Sequence, residues 1–331
     1  MADTVRGDTV LTDTVLAVEN LTLDFPRRYG RIGLLRDVSF TLAAGECLGI
    51  VGESGSGKSL LSLSLMGLQP AAAELSGSIR LGDRELVGLS EGELRGVRGT
   101  DVSMIYQDAL VSLNPGMRIR AQLEQAPRTG AFATPEEMLE AVQIRDVQRA
   151  LRAYPHELSG GQRQRVLIAM AIAGNPRVII ADEPTTALDV TVQSQVMALL
   201  AELRRELKFG LVFVSHDLGL VGETADRIAV MYGGEIVEYG KVGDVLSRPA
   251  HPYARGLLDA SRSLEEGAER LIPIPGAVPP PTEFAAACRF APRCARATEV
   301  CVTERPLLVH HAGAPSEAAC HHPLVAEEAV K

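Results

Sequence analysis

Few short patterns restrict a fold as tightly as Gly52-Glu53-Ser54-Gly55-Ser56-Gly57-Lys58-Ser59, which follows the apolar run Cys47-Leu48-Gly49-Ile50-Val51 and precedes the apolar stretch Leu60–Leu68. A glycine-rich turn between a buried strand and a helix aims backbone N–H groups and the positive end of the helix dipole at a phosphate. In that setting Lys58 reaches the β and γ phosphates of a nucleotide, and Ser59 holds Mg2+. The pattern therefore requires a strand, a loop and a helix in that order.

The flanking sequence supplies the rest of an α/β chain. Leu16, Val18, Leu21, Leu23 and Phe25, then Val38, Phe40 and Leu42, alternate as two antiparallel strands within Val15–Ala43, and Ser76–Leu86 returns to strand and turn chemistry. Val178–Ala181, Leu211–Val214 and Ile228–Tyr232 read as buried strands, with a long helix at Val190–Leu207. Strands alternating with helices predict a parallel sheet. Leu113–Tyr154, broken by Pro115, Pro127 and Pro135 and rich in Glu, Gln and Arg, reads as a helical insertion. Residues 1–14 are polar and aperiodic, which predicts a loose tail. A net charge of −9 without a basic tract argues against nucleic acid as a partner. There is no signal-like start and no charge-free apolar run of about 18 residues, so a cytosolic chain that does not span a membrane is expected.

A second glycine pair stands in Leu158-Ser159-Gly160-Gly161-Gln162, at the start of a basic, apolar helix. The N-terminus of a helix suits a phosphate, and the glycines let another backbone come close. One nucleotide does not need two such caps from one subunit, so the expected client is a nucleotide held by a second subunit. Asp182 and Glu183 end the run Val178-Ile179-Ile180-Ala181, where open α/β sheets bind ligands: Asp182 fits the Mg2+ shell and Glu183 the base that polarises the attacking water. His216 follows Leu211–Val214 at the same sheet edge, placed to sense a γ-phosphate, and Gln107 ends the stretch Val102–Tyr106, placed to ligate Mg2+ or orient water. Taken singly, His216 reads equally as a structural histidine and Gln107 as a surface glutamine.

These motifs in this order resemble the ATP-binding cassette (ABC) family over roughly Val15–Val245. The resemblance implies a P-loop NTPase (RecA-like) core with an antiparallel β subdomain and a helical subdomain at about 108–175. It makes Gly52–Ser59 the Walker A loop, Gln107 the Q-loop, Ser159–Gln162 the signature, Asp182 and Glu183 the end of Walker B, Ala187-Leu188-Asp189 the D-loop and His216 the switch histidine. It implies head-to-tail pairs that sandwich two ATP molecules between one subunit's Walker A loop and the other's signature, with Asp189 at the shared site and Phe25 or Tyr29 stacking on adenine. The mechanism implied is attack by water on the γ-phosphate, with Glu183 as base and His216 holding the geometry. Ser112-Leu113-Asn114-Pro115, the lead-in Ala153-Tyr154-Pro155-His156-Glu157 and the tail look like the ATPase subunits of oligopeptide and dipeptide importers, a subfamily that also moves nickel and other small solutes; Ala109 stands where that pattern commonly has proline. The partners implied are a second ABC ATPase subunit in a homodimer or heterodimer, two transmembrane permease subunits and an external solute-binding protein, with this chain peripheral on the cytoplasmic face of the membrane. A soluble cassette ATPase acting on nucleic acid or ribosomes is the alternative from another class; its usual fused cassettes and basic arms are not found here.

Composition shifts near Pro249, and a linker with five prolines in Ile272–Pro281 leads to Cys288, Cys294, Cys301 and Cys320. Residues 246–331 are thus expected as a small Cys-rich extension. Little apolar material accompanies these cysteines, so ligation is expected to hold the segment. The gaps of five, six and eighteen residues lack the close pairs usual for zinc. The tail resembles the carboxyl-terminal extension of the peptide-importer ATPases, in which Cys-Arg-Phe-Ala-Pro-Arg-Cys is a typical core, and the resemblance implies a [4Fe–4S] cluster. Zinc and unliganded thiols are the alternatives.

Overall fold

The computed structural model describes residues 13–27, 30–127, 132–186, 188–265 and 274–325. Most of the tail expected over residues 1–14 lies outside them. β1 (Thr14–Arg27) and β2 (Gly30–Ala43) pair antiparallel, as their apolar alternation requires. β3 (Cys47–Val51) carries the chain to the glycine-rich loop and α1 (Lys58–Leu65). β4 (Glu74–Leu81) and β5 (Arg84–Glu85) extend the first pair into an antiparallel sheet of order β2-β1-β4-β5.

α2 (Glu91–Arg95) leads into β6 (Val102–Ile105), a strand within the stretch Val102–Tyr106 that ends at Gln107. The insertion is a set of helices, α3 (Ala109–Ser112), α4 (Ile119–Leu123), α5 (Pro135–Ala141), α6 (Val147–Arg152) and α7 (Gly160–Ile172). Then come β7 (Val178–Asp182), α8 (Val190–Leu207), β8 (Gly210–Ser215), α9 (Leu218–Thr224) and β9 (Arg227–Tyr232). The remainder comprises β10 (Glu235–Lys241), α10 (Val242–Ser247), α11 (Pro252–Glu265), α12 (Glu299–Thr303), β11 (Val309–His310) and β12 (Glu317–Ala318).

The main sheet runs β11-β12-β10-β9-β3-β8-β7-β6, with β9, β3, β8, β7 and β6 parallel. Successive side chains of a strand point to opposite faces, so a strand covered on both sides must be apolar throughout. Leu48, Ile50, Val178, Ile180, Val212, Val214, Ala229 and Met231 pack in one core with α1 and the antiparallel sheet. Cys47, Val51, Ile179, Ala181, Leu211, Phe213, Ile228 and Val230 pack in the other with α7, α8 and α9. Burial pushes the Cys47 thiol up to about 12, as befits a core residue.

The sheet is not parallel throughout. β10 turns back on β9 through Gly233-Gly234, whose φ angles of 57° and 83° suit a two-residue hairpin. β12 then pairs antiparallel with β10, and β11 with β12, so the Cys-rich segment continues the main sheet. It shares the core as well: Tyr253 and Phe290 belong to the apolar cluster of β9, and the Tyr232 ring meets both edge-on at 4.7 and 5.1 Å. Buried Glu238 of β10 accepts hydrogen bonds from the N–H groups of Ala250 and His251, at 2.7 and 2.8 Å, and from the Ser316 hydroxyl at 2.6 Å. Aromatic packing and this saturated carboxylate order a segment whose few apolar residues suggested that ligation would have to.

Glu238→Ala leaves two N–H groups and a hydroxyl without their acceptor, and should cost about 3 kcal/mol. Glu238→Gln keeps one acceptor oxygen and should cost less. Denaturant unfolding measures both, and an unchanged midpoint for the alanine variant would contradict this account.

Candidate active site

Parallel pairing aligns the carboxyl ends of the central strands: Val51 of β3 lies opposite Ser215 of β8, and Val214 of β8 opposite Asp182 of β7. The loops after these strands therefore open on one edge. Gly57 caps α1 with no side-chain hydrogen bond, and no acidic residue stands in its first turn, so the first-turn N–H groups are left for an anion. Lys58 is buried and donates from Nζ to the carbonyls of Gly52 at 2.7 Å and Glu53 at 3.1 Å. Burial lowers its pKa, against the opposing pull of Glu183, Asp182 and Glu53. Ser54 and Gly55 line the cleft, whereas Ser56 is fully buried, its hydroxyl unpaired among the described residues.

Ser59 donates from Oγ to Asp182 Oδ1 at 3.3 Å. Burial pushes the Asp182 carboxyl up, and Glu183 adds to the shift, while Ser59 and Lys58 oppose it. A buried carboxylate in that state favours a cation beside it, and hydroxyl, carboxylate and amide oxygens suit Mg2+.

Glu183 follows β7 with φ of 46°, a left-handed backbone that is strained for any residue but glycine. Its Oε2 accepts hydrogen bonds from Thr186 Oγ1 at 2.9 Å and Gln107 Nε2 at 3.1 Å, and His216 Nδ1 lies 3.2 Å from it. Oε2 is thereby engaged, and Glu183 lines the cleft. Lys58, Ser59, Gln107, Glu183 and His216 all line that cleft, which has a volume of about 540 Å3. Thr186 was not among the residues the sequence singled out. A threonine three residues past an acid matches no pattern, although a turn after a strand brings those two side chains together.

The signature segment stands apart from this cleft. Ser159 caps α7: its hydroxyl accepts from the Gln162 N–H at 3.3 Å, and Gln162 Oε1 accepts from the Ser159 N–H at 3.0 Å. A Cβ on Gly161 would lie 2.6 Å from Val192 Cγ1, and one on Gly160 would lie 3.2 Å from Leu188 Cδ2. Within the chain, then, these glycines let α7 sit against the start of α8, a use the sequence did not announce. Asp189 caps α8, accepting from the Val192 N–H at 2.9 Å, and neither it nor the signature lines the cleft. Phe25 is half-buried in β1 opposite Ile32 and is not in the cleft lining; Tyr29 and Ala187 lie outside the described residues.

No disulfide joins the four tail cysteines. The Cys288 N–H donates to the Cys301 carbonyl at 3.1 Å, and Cys320 Sγ accepts from the His322 N–H at 3.3 Å. Burial pushes the Cys320 thiol up to about 11, with Cys288, Cys294 and Cys301 adding to the shift, so the four share one neighbourhood. Among the described residues, no group of three or more His, Cys, Asp or Glu side chains is arranged to hold a metal ion.

A family model described as ABC transporter matches residues 35–186, and one described as Oligopeptide/dipeptide transporter, C-terminal region, matches residues 237–301. A putative peptide import ATP-binding protein of Brucella melitensis is 46% identical over 327 residues, covering 96% of this chain and 98% of that protein. The oligopeptide transport ATP-binding protein OppD of Escherichia coli is 44% identical over 302 residues, covering 89% and 90%. A solved dimeric post-hydrolysis state of an ATP-binding cassette bound to ADP and Pi superposes with a TM-score of 0.59 at 29% identity, covering 69% of this chain and 98% of that one. The fold is that of the P-loop cassette ATPases. This chain belongs to the ABC transporter family and is an ATPase.

Because the folded state raises the Asp182 pKa, the nucleotide-free protein binds that proton more tightly than the unfolded chain does. Its stability falls as pH rises through the carboxyl's range. Asp182→Asn should therefore melt about 2 °C higher than the parent at neutral pH without nucleotide. A lower melting temperature would contradict the reading of that carboxylate.

Proposed function

We propose that this chain is the ATP-binding and ATP-hydrolysing subunit of an ABC importer for oligopeptides or dipeptides. The observation that carries the chemistry is the meeting of Gln107, Thr186 and His216 on one oxygen of Glu183, in the cleft that Lys58 and Ser59 line. The cargo class rests on the relatives, which are named for peptide import over nearly their whole length, and on the match of residues 237–301.

In this mechanism, residues Gly52–Ser59 cradle the phosphates. Lys58 exchanges its two carbonyl partners for the β and γ oxygens, and the open first turn of α1 receives the anion. Ser59, Asp182 and Gln107 would hold Mg2+, which neutralises charge on the phosphate oxygens. Thr186 keeps Glu183 oriented through Oε2, leaving its other oxygen to take a proton from the attacking water. His216 turns from Glu183 toward the γ-phosphate. Ser159–Gln162 and Asp189, which do not line this chain's cleft, serve the nucleotide of a second ABC ATPase subunit, identical or different. The adenine partner is Phe25 or Tyr29. Among the described residues no helix is long and apolar enough to cross a membrane, so passage through it falls to two permease subunits, with an external solute-binding protein supplying cargo and this chain peripheral on the cytoplasmic face.

For the tail, the reading is that Cys288, Cys294, Cys301 and Cys320 ligate a [4Fe–4S] cluster. Cysteine thiolates are the ligands such a cluster takes, and the four cysteines lie near enough to one another to be brought onto it; among the described residues no group is already arranged to hold a metal ion. Protein purified without oxygen should contain iron and acid-labile sulfide in stoichiometric amounts. Zinc alone, or neither metal, overturns the cluster.

Glu183→Gln should reduce steady-state ATP hydrolysis by the assembled transporter at least about a hundredfold while leaving ATP binding intact. Undiminished hydrolysis would refute the base assignment.

A further inference from the structure

The tail also reaches the phosphate loop. Arg293 places Nη1 at 2.7 Å from Glu53 Oε2 and Nη2 at 3.1 Å from Oε1, a paired contact with the loop's second residue. Its side chain is only 4% exposed, and the guanidinium is fixed from behind by the carbonyls of Pro275 at 2.8 Å, Gly276 at 3.2 Å and Ile274 at 3.3 Å. The Tyr232 ring centroid lies 5.7 Å from it. A second residue beyond the cassette core holds the same loop position: the Tyr253 hydroxyl accepts the Glu53 N–H at 2.8 Å. The carbonyl of Glu53 meanwhile takes Lys58 Nζ at 3.1 Å. Every polar handle of Glu53 is thus occupied, two of them from outside the loop.

We propose that Arg293 is a positioning residue for ATP binding: it anchors the phosphate loop through Glu53 and neutralises a carboxylate that would otherwise oppose the incoming triphosphate. The proposal rests on the reading of Gly52–Ser59 as the phosphate site. A loop that must admit an anion of several charges gains nothing from a free carboxylate, and a buried, bidentate arginine both cancels the charge and fixes its direction. Hydrogen bonding to Glu53 in turn raises the pKa of Arg293. Among the described residues the hydrogen bonds and ion pairs of Glu53 run to Ser56, Lys58, Tyr253 and Arg293 and not to Glu183 or His216, so the effect belongs to nucleotide binding and not to the hydrolytic step. Arg293 stands in the turn between Cys288 and Cys294, so the extension reaches the ATP site by one side chain.

The test is ATP titration of hydrolysis by the assembled transporter carrying Arg293→Ala, Arg293→Lys or Glu53→Gln with Arg293→Ala. Removing Arg293 should raise the KM for ATP about tenfold and leave kcat within about twofold, since the exposed carboxylate repels ground state and transition state alike. The double variant has no carboxylate left to repel ATP, and its KM should return to within about threefold of the parent. A loosened tail alone would leave the double variant as impaired as the single, and that result overturns the proposal, as does an unchanged KM for Arg293→Ala. Should Arg293→Ala fail to assemble, Arg293→Lys decides: one ammonium cannot span both carboxylate oxygens, so KM should rise about threefold, and no rise overturns the proposal. Lys58→Ala is measured alongside. Retained ATP binding there would sink the phosphate-site reading and this proposal with it, whereas lost binding beside an unchanged Arg293→Ala would sink this proposal alone.

Discussion

Parallel pairing of β3, β8 and β7 is the constraint from which the site follows. Each strand is buried on both faces, so its register is set by two cores at once, and a slip of one residue would exchange the side chains committed to each. That register puts Val51, Ser215 and Asp182 on one edge, and with them the glycine loop, His216 and the acid pair. The strained backbone of Glu183 at this edge then aims its carboxylate where Gln107, Thr186 and His216 converge. The strain is supported by β7 below and by the Glu183 N–H bonded to the Val214 carbonyl at 3.0 Å.

Two further attachments depend on the same frame. α7 packs on α8 through Gly161, which fixes the start of α7 relative to Asp189 and the end of β7. The carboxyl-terminal segment joins the opposite side of the sheet through β12, fills the core with Tyr253 and Phe290, and returns to the phosphate loop through Arg293. Signature helix and tail are therefore both mechanically tied to the nucleotide cleft, one through a neighbouring helix and the other through an ion pair.

Much of this was legible in the sequence because it is local. The phosphate loop, the long helix Val190–Leu207, the buried strands and the acid pair are set by contiguous residues whose periodicity and composition have one reading. What escaped is set by turn geometry or by long-range meetings. Thr186 on Glu183, Arg293 on Glu53 and the three donors on Glu238 join residues whose meeting depends on turns or on the sheet edge, and no spacing rule encodes them. The tail was legible as cysteine-rich but not as part of the main sheet, because β11 and β12 are two residues each and carry no alternation. The signature glycines were visible, yet their contact with Leu188 and Val192 was not, since α8 lies well downstream in the chain.

The central claim is that ATP is hydrolysed by a pair, with the start of α7 serving the partner's nucleotide. Ser159→Asp tests it with little harm to the fold, because aspartate also caps a helix while adding a negative charge where a phosphate should dock. The account predicts that this variant chain alone binds ATP as the parent does, and that turnover by the assembled transporter falls at least about tenfold. Loss of ATP binding by the chain alone, or undiminished turnover in the assembly, would contradict it.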